Sequence, residues 1–156
     1  MSVYLFLTVA ASCSAQQMTE FRQPELQQII TDEIKIDNPA TVYYVYKAGQ
    51  FVEAVLSKEP ELIGGNSLME TLISLNIRYP DIARQKKIGG TVLVSVVIDT
   101  DGNMADAYIH EGIGGGCNDE ALRAVRLLDQ TGFEPAEIKG KAVTVKYDIP
   151  ITFLPK

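Results

Sequence analysis

The side chains in this sequence whose types and spacing could do chemistry lie between Asp99 and Cys117. His110 is the only histidine, and Cys117 is the only cysteine beyond Cys13. Together they would suit a thiolate–imidazole pair, in which the ring takes the thiol proton and leaves a nucleophile. That use needs an Asn or Asp to hold the ring, and none is spaced for it. Alternation also puts His110 on a polar strand face. The expected roles are a surface histidine and a small cysteine at a helix start. The helix N-terminus would acidify that thiol, but Asp119 and Glu120 oppose it.

Two loops invite ligand readings and fail them on chemistry. Gly112, Gly114, Gly115 and Gly116 precede a helix, as in phosphate-cradling turns, yet no Lys, Ser or Thr follows and Asp119 and Glu120 would repel phosphate. Asp99-Thr100-Asp101-Gly102-Asn103 begins like a calcium loop. Met104 then stands where the loop glycine belongs, and His110 where a bidentate glutamate belongs. Both segments are expected to be turns. With no set of acid, base and nucleophile left, the chain reads as a non-enzyme with neither cofactor nor metal.

The elements around these turns are legible from periodicity. Residues 79–89 carry Pro80 at a first helical position, Asp81 in the first turn, bases in the last and Gly89 beyond, which predicts a short helix. Val92, Val94, Val96 and Ile98 share one strand face. After the turn, Ala105, Ala107 and Ile109 alternate with Asp106, Tyr108 and His110, completing a hairpin with one apolar side. Ala121, Leu122, Val125 and Leu128 then fall on one stripe of a helix over 118–130. The final strand alternates from Val143 to Phe153. Upstream, residues 40–46 and 51–55 read as a second hairpin, able to extend the sheet or to cover its margin. Ser67-Leu68-Met69-Glu70 reads as a capping box opening a helix with Leu68, Met69, Leu72, Ile73 and Leu75 inward.

Connection rules convert these elements into an α+β fold. A helical crossover lays the last strand parallel to the second strand of the main hairpin, hence antiparallel to the first. The predicted sheet order is second, first, third, with helices on one face. The last strand is then an edge, with unpaired N–H and C=O groups able to receive another extended chain. Pro150 lacks a donor, so the cleanest pairing surface is Val143, Thr144 and Val145 followed by Lys146, Tyr147, Asp148 and Ile149.

The order Tyr79-Pro80, Ile88-Gly89-Gly90-Thr91-Val92, Asp99-Thr100-Asp101-Gly102, Asp119-Glu120-Ala121-Leu122-Arg123-Ala124-Val125, Phe133-Glu134-Pro135-Ala136, Gly140-Lys141 and Ile149-Pro150-Ile151-Thr152-Phe153 resembles the C-terminal domain of TonB-type energy transducers. Glu61-Leu62-Ile63-Gly64-Gly65-Asn66-Ser67-Leu68 is similar to the version common in Bacteroidetes-like proteins. The resemblance implies a periplasmic domain that grips a short extended segment, the TonB box, of an outer-membrane transporter by strand addition, and relays force from inner-membrane motor proteins. It places Tyr79 and Pro80 near the docking position, where helix initiation and ring packing are the competing roles.

Composition bounds the rest. With 156 residues and 46% hydrophobic content the chain buries one core, and its net charge of -6 disfavours nucleic acid, which needs a phosphate-neutralising basic face. Residues 1–15 read as a signal peptide or lipoprotein leader: an apolar run too short to span a bilayer, then either a cleavage site or a degenerate lipobox at Cys13, with an upstream anchor as the third alternative. Residues 16–40 form a polar tether or short helix and 41–156 the domain, with its core at 79–154. The location expected is the periplasm, membrane-anchored if Cys13 is lipidated or an anchor precedes. A domain whose edge instead pairs permanently with a second copy or another envelope protein is the alternative.

Overall fold

The computed structural model describes residues 34–36 and 42–155. The leader, Cys13 and most of the proposed tether lie outside the described residues. The described chain runs β1 (Ile34–Ile36), β2 (Tyr43–Lys47), β3 (Gln50–Ala54), β4 (Glu61–Leu62), α1 (Asn66–Asn76), α2 (Asp81–Gln85), β5 (Gly90–Ile98), β6 (Met104–Glu111) and α3 (Cys117–Arg126). A 3-10 turn (Leu127–Gln130) follows, then β7 (Phe133–Glu134), β8 (Ala136–Ile138), β9 (Lys141–Val143) and β10 (Val145–Phe153).

The main sheet has the order β3-β2-β10-β5-β6, with β1 also paired to β10. The predicted order of β6, β5 and β10 is the one observed. Valines and isoleucines at alternate positions explain the register. Val92, Val94, Val96 and Ile98 on β5 meet Ile151, Ile149, Tyr147 and Val145 on β10, all buried in one cluster with Met69 and Ile73 of α1 and Ala121, Ala124 and Val125 of α3. Both helices therefore lie on this face, while Lys146, Asp148, Pro150 and Thr152 point to the other and are half-buried.

The expectation that the last strand is an edge is corrected. Val145 and Lys146 pair with Val45 and Tyr44 of β2, and Ile151, Thr152 and Phe153 pair with Ile36, Lys35 and Ile34 of β1. Burial drives this: docking β2 places Tyr43 and Val45 in the core, and β1 adds Ile34. Ile34–Ile36, assigned above to a tether or short helix, is thus a strand. The β2–β3 hairpin turns on Ala48 and Gly49, both at positive φ, the two-residue geometry that matches strand twist.

Two smaller expectations also change. Helix α1 begins at Asn66 behind Gly65, with no side-chain cap, so the capping box at Ser67 does not form. Gly64 and Gly65, at φ +103° and +90°, place the cap two residues before Ser67. Leu75, expected inward, is 66% exposed, while Met69 and Ile73 are buried.

Glu120 fastens the segment after α1 to α3. Its Oε1 accepts the Arg78 N–H at 2.8 Å, its Oε2 accepts Arg123 Nε at 3.0 Å, and Arg123 also donates to the Asn76 carbonyl. The Arg123 hydrogen bond is the first cause holding the Glu120 carboxyl below its ordinary value of 4.5, with the Arg78 amide adding to it against partial burial. A folded-state pKa below the unfolded one stabilises above the unfolded value and is lost as pH falls through the folded one. Glu120→Gln is therefore expected to lower stability by about 1 kcal/mol at neutral pH, the deficit shrinking below about pH 4. Urea midpoints at both pH values check this.

Candidate functional site

The margin of β10 facing β1 and β2 is the surface to which the sequence points. Peptide groups along a strand point alternately to its two sides. The Tyr46 N–H donates to the Thr144 carbonyl at 3.0 Å, so Thr144, Lys146, Asp148, Pro150 and Thr152 turn their backbone groups toward this margin. Lys146 lies against β2 and Thr152 against β1. Between them stand Asp148, with an N–H and a C=O, and Pro150, with a C=O alone. Among the described residues no strand pairs with this interval. The missing donor of Pro150 falls here, where no ladder bond to β5 needs it.

The seven residues expected to form the pairing surface are not equivalent. Val143 belongs to β9 and pairs with Ala136 of β8, and Thr144 is the break between β9 and β10. Val145 is buried and paired on both sides. Lys146 is fixed on the hairpin, its Nζ 4.9 Å from the Tyr44 ring centroid and 5.2 Å from that of Phe51. Tyr147, Asp148 and Ile149 lie along the open interval, with Asp148 turning its backbone groups outward. The Tyr147 and Ile149 side chains are in the core, and burial, with the neighbouring Tyr43, pushes the Tyr147 phenol well above its ordinary range. Tyr43, raised to about 12 first by burial and then by its Glu59 partner, packs on Tyr147 at 5.8 Å between centroids.

Tyr79 and Pro80 are brought to the end of this margin, beneath its surface. Tyr79 is 8% exposed, donates its hydroxyl to the Ile88 carbonyl at 2.7 Å and stands edge-on to Phe153 at 5.6 Å. Its ring supports the strand end against which Ile34 pairs. Pro80 caps α2, its carbonyl accepting the Arg84 N–H at 2.9 Å.

One group was not foreseen. The carboxylate of Asp148 accepts Ser95 Oγ on one oxygen and contacts His110 Nδ1 at 2.7 Å on the other. No acid near His110 in the chain is spaced to hold it, yet Asp148 lies two strands away across Ser95. The signal was available: the predicted order puts the polar positions of β10, β5 and β6 on one face. In this order the carboxylate stands between the serine hydroxyl and the imidazole, so the ring does not hydrogen-bond the serine as a nucleophile–histidine pair would. Cys117 is fully buried, and desolvation raises its thiol, which suits packing and not nucleophilic attack. Among the described residues no group of His, Cys, Asp and Glu could hold a metal.

Residues 76–155 match the family model described as Gram-negative bacterial TonB protein C-terminal, about half the chain. The chain belongs to that family. It is 29% identical over 98 residues to Protein TonB of Vibrio cholerae serotype O1, a match covering 63% of this chain and 38% of that protein. Two NMR solution structures of the Helicobacter pylori TonB-CTD are also similar, each at 32% identity and covering 56% of this chain. They cover 78% and 88% of those chains, with TM-scores of 0.46 and 0.43. No helix among the described residues is long and apolar enough to cross a membrane.

Proposed function

We propose that this chain is a non-enzymatic periplasmic domain that captures an extended segment, the TonB box, of an outer-membrane transporter by strand addition along β10, and so serves TonB-dependent transport. The observation that carries this reading is the interval at Asp148 and Pro150, where outward-facing backbone groups stand between the short pairings with β2 and β1. Family membership supports the partner class. Inner-membrane motor proteins enter the reading where an inner-membrane anchor is present; lipidation at Cys13 is the alternative attachment.

A few ladder bonds at about 0.5 to 1.5 kcal/mol each, less the cost of ordering the peptide, fall short of the ~8 kcal/mol of a micromolar complex, so strand addition here gives weak capture. Such binding releases readily, as a coupling element must. Fluorescence anisotropy with synthetic transporter N-terminal segments tests the reading. N-methylation at alternate backbone positions in one phase should abolish binding, and in the other phase leave it intact. Lys146→Ala should leave capture unchanged. Equal loss in both methylation phases would reject strand addition.

The second reading, a permanent pair of copies, attaches to β3. That outermost strand turns the backbone groups of Phe51 and Glu53 outward, by the register of its hairpin. The opposite edge is guarded, with Arg126 donating to the Ala107 carbonyl and Asp129 accepting the Met104 N–H, each at 3.0 Å. Elution volume on dilution separates the readings, since a permanent pair persists.

A further inference from the structure

The two strands covering the β10 margin are held very differently. The β2–β3 hairpin brings its own partner strand, buries Tyr43 and Val45, and receives Lys146 between its aromatic rings. Just beyond it, Ser57 and Lys58 bond the Glu137 carbonyl, and Lys58 pairs with Glu134 at 2.9 Å. Strand β1 has three paired residues, of which only Ile34 is buried. Beside it, Ile34, Lys35 and Ile36 line a cavity of about 380 Å³ with Glu70 and Ser74 of α1, so β1 covers this part of the molecule incompletely.

We propose that β1 is a built-in stand-in for the partner: the incoming segment displaces it, and leaves β2–β3 in place. The proposal rests on the function argued above and specifies the partner's chemistry. Ile34 and Ile36 sit opposite Phe153 and Ile151, whose side chains face the core, whereas Lys35 sits opposite Thr152. The Thr152 hydroxyl shares a 2.8 Å hydrogen bond with that of Thr91, making the middle position polar. The segment that fits is therefore extended, antiparallel to β10, with branched aliphatic residues at alternate positions around one polar residue. It gains the outward groups of Asp148 and Pro150 as it extends past the end of β1.

Because a seat occupied by its own strand lowers apparent affinity by the fraction left open, loosening β1 must tighten capture. The probes are a synthetic peptide of this chain's residues 32–38 and the transporter segments. The chain carrying Ile34→Ser and Ile36→Ser should bind both about 10- to 100-fold more tightly than the parent, the range set by an open state populated at about 1 to 10%. The second variant, Lys35→Cys with Thr152→Cys in a Cys13→Ser background, bridges directly opposed residues. Oxidised, it should bind neither probe, and reduction should restore binding. Transporter segments that bind the oxidised and reduced forms equally would overturn the stand-in and leave the proposed function intact. Capture of the 32–38 peptide by the loosened variant without capture of any transporter segment would overturn the proposed function, and with it the partner assigned here.

Discussion

Gly102→Ala is expected to lower stability by about 2 to 5 kcal/mol, measured as the urea midpoint at neutral pH. Gly102 has φ +86°, and a Cβ there would lie 2.0 Å from the Phe133 carbonyl oxygen. The left-handed conformation costs a non-glycine residue about 1 to 2 kcal/mol, and forcing the contact apart costs about 1 to 3 kcal/mol more. The obstruction is backbone, so no side chain can swing away. The shift also breaks the hydrogen bond from the Phe133 N–H to the Gly102 carbonyl, 2.9 Å long, which ties the β5–β6 turn to the strand after the 3-10 turn. Gly140→Ala is the control: its φ is +74° but nothing lies within 4 Å, so only the conformational cost applies. Equal losses at the two positions would show that the contact with Phe133 contributes nothing.

Phe153→Ala is expected to cost about 3 to 5 kcal/mol, a large share of the ~5 to 15 kcal/mol that holds a domain together. Phe153 is fully buried, pairs with Gly90 and Ile34, and receives the edge of Tyr79. Truncation leaves a cavity beneath β1 and removes the surface on which Tyr79 rests. Tyr79→Phe should cost only about 1 kcal/mol, since the ring stays and the hydroxyl bond to Ile88 is lost. If Phe153→Ala were as mild as Tyr79→Phe, the end of β10 would not be the packed anchor described here.

Much of the fold was legible because its signals are local. The alternation through Val92, Val94 and Val96, the stripe at Ala121 and Val125, and the Pro80–Gly89 punctuation each name an element within one window. Connection rules then ordered β6, β5 and β10. What escaped was non-local. Val45 and Val145 are far apart in the chain, and β1 is too short to carry a period of its own. The Gly102 turn was readable, but its contact with Phe133 was not. Among the candidate site residues, alternation put Tyr147 and Ile149 in the core, as observed. It could not show that Val145 is paired on both sides, nor that Asp148 reaches His110. For Tyr79 the sequence allows docking or packing, and its burial against Phe153 follows from tertiary contact alone.

Amide hydrogen exchange at Asp148 and Thr152, in the full chain with and without a saturating transporter segment, tests strand addition most directly. Slower exchange at Asp148 in the complex, with Thr152 protected in both states, is the result expected when a new strand replaces β1. A saturated complex in which the Asp148 amide exchanges as fast as in the free chain would contradict it.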